Sequence, residues 1–178
     1  MHSEFERIGK RLFAEGLLCA SFGNMSVRSG NGFFITRSGS YLDIPGSPVF
    51  VPIKGDVPEH ASSEYRVHRA TYGVTNHQAI VHAHPPHAVA CSLSVDRIVP
   101  VDSEGTLLAP RIPVVGGAYG SDDLAEQVAG ALKVYRVVVA RGHGTFAAGE
   151  NLDEAYSLTS LAEHSCRILF LTGAAGRR

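Results

Sequence analysis

Ala79-Ile80-Val81-His82-Ala83-His84-Pro85-Pro86 carries the decisive pattern of this chain. Ala79 to His84 is a β-type run, and Pro85-Pro86 opens a helix at the first-turn position that proline tolerates. In an extended strand, residues two apart point the same way, so His82 and His84 project on one face with Ala83 behind them.

Upstream of that run, Ser62-Ser63-Glu64 starts a helix to about Tyr72, with serine accepting bonds from backbone N–H groups at the helix start. Val49 to Ile53 reads as a strand bounded by proline and glycine, Gly32 to Thr36 as a strand halted by Ser38-Gly39, and Met25 to Arg28 as a short strand. Phe5 to Leu18 is an amphipathic helix with Phe5, Ile8, Leu12, Phe13 and Leu17 on one stripe. Downstream, Ile98 to Val101 and Ile112 to Val115 are short strands. Ser121 to Lys133 is a helix with an acidic first turn, as the helix dipole prefers. Tyr135 to Ala140 is a buried-type strand, Phe146 to Gly149 pairs with it, and Leu152 to Leu171 closes the chain as a long helix. Strands and helices interleave, but turns alone separate several strand pairs. The expectation is an α/β fold with a mixed, largely antiparallel sheet and helices on both faces, not a doubly wound parallel sheet.

The 178 residues suit a single domain over 1–178, and a chain of this size buries roughly two-thirds of its unfolded surface. Hydrophobic residues make up 44%, charged residues 19%, and the net charge is −1, which argues against nucleic acid or an anionic membrane as a partner. Cys19, Cys91 and Cys166 form no C-x-x-C pair, so neither a disulfide framework nor a thiolate metal site is expected, and all three read as small buried hydrophobes. No basic-then-apolar leader and no run of ~18 apolar residues stands in the sequence, so a cytoplasmic location is the expectation.

Nine histidines is a high count for this length. His82 and His84 offer converging neutral nitrogens, and His143 in Arg141-Gly142-His143-Gly144 ends a buried-type strand between glycines that let the backbone bend closely. Three imidazoles with an open fourth position describe a catalytic zinc site. A lone H-x-H pair is equally compatible with two ordinary polar histidines. His87 falls in the first turn after Pro85-Pro86 and faces elsewhere, while His2, His60, His77 and His164 have no ligand-like spacing.

Taken together, Ser21-Phe22-Gly23-Asn24-Met25-Ser26-Val27-Arg28, Thr36-Arg37-Ser38-Gly39, Ser62-Ser63-Glu64 with His68, His82-Ala83-His84 and Gly142-His143-Gly144 occur in an order that resembles the class II aldolase/adducin family. The resemblance covers about residues 5 to 171 and is strongest to the L-fuculose-1-phosphate aldolase branch. It implies a three-layer α/β/α fold and a homotetramer with active sites between subunits. It also implies one Zn²⁺ per subunit held by His82, His84 and His143. Glu64 matches the residue that is a fourth ligand at rest and the catalytic base once substrate displaces it. Asn24, Ser38, Gly39, Ser62 and Ser63 match the positions that hold the phosphate of a sugar-phosphate substrate.

Elementary chemistry supports those assignments. A helix start attracts a dianion, Gly39 allows close backbone approach, and Asn24 and Ser38 bring side-chain donors. Ser62 or Ser63 capping its helix is the commoner role of such a serine and is compatible with anion binding. His68, four residues after Glu64, lies on the same helical face and either orients Glu64 or a metal ligand or is an ordinary exposed polar residue. The expected reaction is cleavage of a keto-sugar 1-phosphate to dihydroxyacetone phosphate and an aldehyde such as lactaldehyde. The branch's tyrosine that donates a proton across the subunit boundary is absent here. Val101-Asp102-Ser103-Glu104-Gly105 stands at that place, leaving Glu104 and Tyr119 as candidates. An L-ribulose-5-phosphate 4-epimerase-like enzyme, a methylthioribulose-1-phosphate dehydratase-like enzyme and a non-catalytic adducin-like module are the alternatives. Histidine-rich sites also rank several divalent metals closely.

Overall fold

Ile80 turns to one side of the sheet and Ala79, Val81 and Ala83 to the other, and the layers of the molecule follow from that parity. The structure, a computed structural model, describes residues 2–173. In chain order its elements are α1 (His2–Ala14), β1 (Asn24–Ser29), β2 (Gly32–Ile35), β3 (Val49–Pro52), α2 (Tyr65–Val74), β4 (Ala79–Ala83) and α3 (Pro86–Ser92). There follow β5 (Arg97–Ile98), α4 (Ser103–Leu108), β6 (Ile112–Val115), α5 (Asp122–Leu132), β7 (Val137–Ala140), β8 (Gly144–Gly149) and α6 (Leu152–Leu171). The strands form one eight-stranded sheet in the order β3-β2-β1-β4-β8-β7-β6-β5. Only β6 and β7 run parallel; the other neighbours are antiparallel. The mixed, mostly antiparallel sheet is the one the sequence implies.

Helices α2 and α5 cover one face, where Val67, Tyr72, Leu124, Val128 and Leu132 pack on Phe33, Ile35, Ile80, Val138 and Phe146. Helix α1 and the start of α6 cover the other, through Phe5, Ile8, Leu12 and Leu152 against Met25, Val81 and Ala83. Further along that face α3 and α6 pack Ala88, Cys91, Ala162 and Cys166 on Val137, Val139 and Ala147. Each fully buried large apolar side chain contributes about 1.5–3 kcal/mol relative to exposure. Strand β4 at the centre is buried along its whole length.

Several boundaries differ from the sequence expectation for identifiable reasons. Helix α1 stops at Ala14 rather than Leu18, because Gly16 adopts φ +70° and ends the helix with the Leu17 amide on the Leu12 carbonyl at 3.0 Å. Phe13, read as part of the buried stripe, is 62% exposed. Strand β5 is two residues long rather than four, and Asp102 then caps α4 by accepting from the Gly105 amide at 2.8 Å. Cys91 and Cys166 are buried as expected, but Cys19 is exposed. Among the described residues no helix is long and apolar enough to cross a membrane.

Candidate active site and metal centre

His82 is the next-to-last residue of the buried strand β4, His84 stands one residue beyond its end, and His143 closes the turn between β7 and β8. The antiparallel pairing of β4 with β8, Ala83 opposite Thr145, brings that turn to the mouth of β4. Gly142 adopts φ +66°, which lets the turn close with the His143 amide on the Ala140 carbonyl at 3.0 Å. Gly144 has a different constraint: a Cβ there would lie 2.3 Å from the Ala83 carbonyl oxygen and 3.0 Å from His82 Cε1. The three rings meet with centroids 4.8 to 5.0 Å apart, and one nitrogen from each lies within 4.8 Å of the others.

The protonation of His82 follows from its partner. Its Nδ1 donates to the Thr145 carbonyl at 2.9 Å, so the neutral ring carries a lone pair on Nε2, which lies 3.1 Å from His84 Nε2. Phe146 stacks on the same ring at 4.1 Å and holds its plane. Burial, then the neighbouring His84 and His143 rings, keep His82 well below the usual imidazole range. Burial and His143 lower His84 to about 4, and burial lowers His143. All three are neutral near pH 7, and each brings one ring nitrogen to the same place, where a lone pair can serve a cation.

Glu64 occupies the N-cap position of α2 and is only 2% exposed. Its Oε2 stands 3.6 Å from His82 Nε2, and neither carboxylate oxygen has a hydrogen-bond partner among the described residues. Burial pushes this carboxyl up to about 7; the nearby Gly120 backbone amide, short of hydrogen-bond geometry, offsets part of the rise. An orphaned buried carboxylate beside three neutral imidazoles lacks one positive charge. A divalent cation among them satisfies every one of these atoms, so the residues fit a metal.

The same groups line a cleft of about 630 Å³. Asn24, opposite His82 in the β1–β4 register, forms one wall. The 36–39 and 60–63 loops are stitched together by the Ser38 amide on the His60 carbonyl at 3.0 Å and the Ser62 amide on the Thr36 carbonyl at 3.2 Å. Ser38, Gly39, Ser62 and Ser63 therefore share the cleft with Asn24. Neither serine caps α2 by its side chain: Ser62 Oγ meets the Glu64 amide only at 3.4 Å, and Ser63 Oγ bonds the Tyr119 hydroxyl. Because the Ser62 amide is spent on Thr36, its free group toward an anion is the hydroxyl.

Other residues fall differently. Arg37 also lines the cleft and was not among the residues the resemblance assigns to phosphate; its position inside the Thr36-Arg37-Ser38-Gly39 motif was the available signal. Tyr119 lines the cleft with its ring 5.5 Å from His143. Glu104 instead borders a separate groove beside α6 with Arg136 and His164. His68 does not reach Glu64's carboxylate; its ring bonds Asn24 and Ser26. His87 pairs with Glu163 at 2.6 Å, away from the cleft.

Comparison with known proteins finds similarity over nearly the whole chain. A family model described as the class II aldolase and adducin N-terminal domain matches residues 3–170. The crystal structure of L-fuculose-1-phosphate aldolase from Thermus thermophilus is 39% identical, with a TM-score of 0.93 over 97% of this chain and 94% of that one. L-fuculose phosphate aldolase of Haemophilus influenzae is 32% identical over 158 residues, 83% of this chain and 72% of that protein. A Nocardia farcinica protein described as a "probable bifunctional methylthioribose-1-phosphate isomerase/methylthioribulose-1-phosphate dehydratase" is 27% identical over 92% of this chain and 34% of its own length.

Proposed function

Because this chain belongs to the class II aldolase and adducin family, is similar to L-fuculose phosphate aldolases and gathers three histidines suited to a metal, we propose that it is a zinc-dependent sugar-phosphate aldolase. Its substrate is a keto-sugar 1-phosphate of the L-fuculose-1-phosphate kind, split into dihydroxyacetone phosphate and an aldehyde such as lactaldehyde. The working unit is a single domain over residues 1–178 in a cytoplasmic homotetramer, with one metal per subunit and sites between subunits. The observation that carries this reading is the orphaned Glu64 carboxyl facing three converging, neutral imidazoles in one cleft with the donor-rich 36–39 and 60–63 loops.

His82, His84 and His143 hold the metal, and Glu64 completes the set at rest. The bound cation supplies Lewis-acid stabilisation of the negative charge that develops on substrate oxygens. Asn24 and the hydroxyls of Ser38, Ser62 and Ser63 donate to the phosphate, and Gly39 lets the backbone approach it. In the condensation direction Glu64 takes the proton from the carbon beside the carbonyl; in cleavage it returns that proton to the same carbon. Burial makes a carboxyl released from the metal more basic, the direction this transfer needs. The aldehyde oxygen gains its proton in condensation from another group. Tyr119 in the cleft is better situated for that within one chain than Glu104 in its separate groove.

A dehydratase reading is favoured by one observation, the similarity to the methylthioribulose-1-phosphate dehydratase-containing relative. An assay of the zinc-loaded protein over a panel of ketose 1-phosphates, with dihydroxyacetone phosphate as readout, tests the main reading. Release of dihydroxyacetone phosphate supports it. Dehydration of methylthioribulose-1-phosphate, or epimerisation of L-ribulose-5-phosphate, without any aldol cleavage overturns it.

A further inference from the structure

Four polar side chains form a buried line from the core to the cleft. Asn24 and Ser26, two apart on β1, face His68 and Tyr72, four apart on α2. Tyr72 OH lies 2.8 Å from Ser26 Oγ, Ser26 Oγ 2.6 Å from His68 Nδ1, and His68 Nε2 2.6 Å from Asn24 Oδ1. His68 is fully buried, and its two ring nitrogens meet an uncharged hydroxyl and an uncharged amide with no carboxylate, so the ring is neutral and carries a single proton. Phe33 stacks on it from the side.

With one proton per group, the line can run in only two directions. Running outward, Tyr72 donates to Ser26, Ser26 to His68 Nδ1, and His68 Nε2–H to the Asn24 carbonyl oxygen; every proton is used. Running inward, the Asn24 amide donates to Nε2, Nδ1–H to Ser26, and Ser26 to Tyr72. The Tyr72 proton is then stranded at a hydroxyl whose bonding partner among the described residues is Ser26 alone, in a residue 2% exposed. A buried donor without an acceptor is disfavoured, so the outward direction prevails. Burial raises the Tyr72 phenol as well, which keeps that proton in place. Asn24 Nδ2 then has no partner among the described residues and belongs to the cleft wall.

We propose that His68 is a positioning residue for substrate phosphate. Held in one tautomer by Ser26 and Tyr72, it pins the Asn24 carbonyl inward so that the NH₂ group faces the anion. A flipped amide would turn a carbonyl oxygen toward the phosphate, replacing attraction by repulsion. The inference rests on the assignment of Asn24 to the phosphate in the proposed function, and it adds two residues, His68 and Tyr72, that never touch substrate.

The test is equilibrium binding of dihydroxyacetone phosphate to the zinc-loaded full chain by calorimetry, with phosphate-free dihydroxyacetone as the control ligand. His68→Leu is expected to weaken the phosphorylated ligand about 10-fold, the scale of one hydrogen bond to a charged group, and leave the control unchanged. His68→Gln, which retains a donor and an acceptor, restores most of the loss. Tyr72→Phe removes only the group that selects the direction and weakens binding about 2- to 5-fold, less than a full hydrogen bond to a charge. In an Asn24→Ala background neither change has a further effect. Additive losses in that background, or parental affinity in folded His68→Leu and Tyr72→Phe proteins, overturn the inference while leaving the phosphate assignment standing. Parental affinity in Asn24→Ala alone overturns both. Nitrogen NMR of His68 in the unmutated protein gives an independent reading should His68→Leu not fold: Nε2–H is expected, and Nδ1–H rules the proposal out.

Discussion

Among the described residues both oxygens of the Glu64 carboxyl are buried and unpartnered, which in a protein interior is costly unless something else claims the charge. Replacing it by glutamine therefore breaks no internal hydrogen bond. Glu64→Gln is expected to leave the fold and three-histidine metal binding largely intact while lowering kcat by about 100-fold or more, the scale for loss of a general base. Parallel measurement of turnover and zinc content checks this, and near-normal kinetics would show the base to be elsewhere. His68 supplies a prediction about pH. The folded ring is neutral down to about 3, whereas an unfolded histidine takes up its proton below about 6.5. Between those values the unfolded state binds the extra proton, so this group's effect is to lower stability as pH falls. Relative to His68→Gln, the metal-free parent should lose about 1.4 kcal/mol per pH unit between about pH 6 and 4. Denaturant titrations of both proteins at several pH values measure the difference, and a constant gap would mean that the buried ring is already charged. The sequence made Glu64 readable only beside the histidines. It misdirected His68, because i,i+4 spacing identifies a helix face but not the strand against which that face packs.

At the scale of elements, the site is made where β4, β8 and the turn before β8 converge. Its tightest point is Gly144, whose missing side chain lets the Ala83 carbonyl and the His82 ring close in. Gly144→Ala must push either the β4–β8 pairing or the His82 ring outward. Weaker zinc binding together with a lowered denaturation midpoint is expected, by about 1–3 kcal/mol as for other overpacked cores. Metal titration and denaturant unfolding of the variant check it, and unchanged values in both would mean the strands have slack that this geometry denies. The H-x-H parity on β4 was legible because a strand's period of two is set by local geometry. The shape of 97–108 was not: Pro100 and Asp102 convert an apparent strand into a two-residue β5 followed by the capped α4. Helix α1 was read too long for a similar reason, since the left-handed turn at Gly16 outweighed an apolar stripe that continued to Leu17. Convergence of the 36–39 and 60–63 loops depends on backbone bonds between distant segments, which no local pattern carries.

The whole molecule separates what makes the fold from what makes the site. Three apolar clusters among the described residues, one on the α2/α5 face and two on the α1/α3/α6 face, enclose the sheet, and the histidine group meets them where His82 stacks on Phe146. His143 is only partly buried, and His82 is held by Thr145 and Phe146. The ligands are thus preorganised by a core that stands by itself, in contrast to small metal-folded domains whose binding energy is their folding energy. Removing the metal should leave a folded protein with the same far-UV circular dichroism. Binding stabilises the folded state by mass action, so zinc at 100 times its dissociation constant adds about 2.7 kcal/mol. At about 2–4 °C per kcal/mol for a chain of this size, the melting temperature should fall by roughly 5–10 °C on chelation and recover on adding zinc back. Melting curves of chelated, zinc-restored and His82→Ala proteins measure it, the last being expected to show no zinc-dependent shift. A chelated protein that has lost its secondary structure at 25 °C would make the metal a structural element. An identical shift in His82→Ala would mean that the ion binds somewhere other than the three imidazoles.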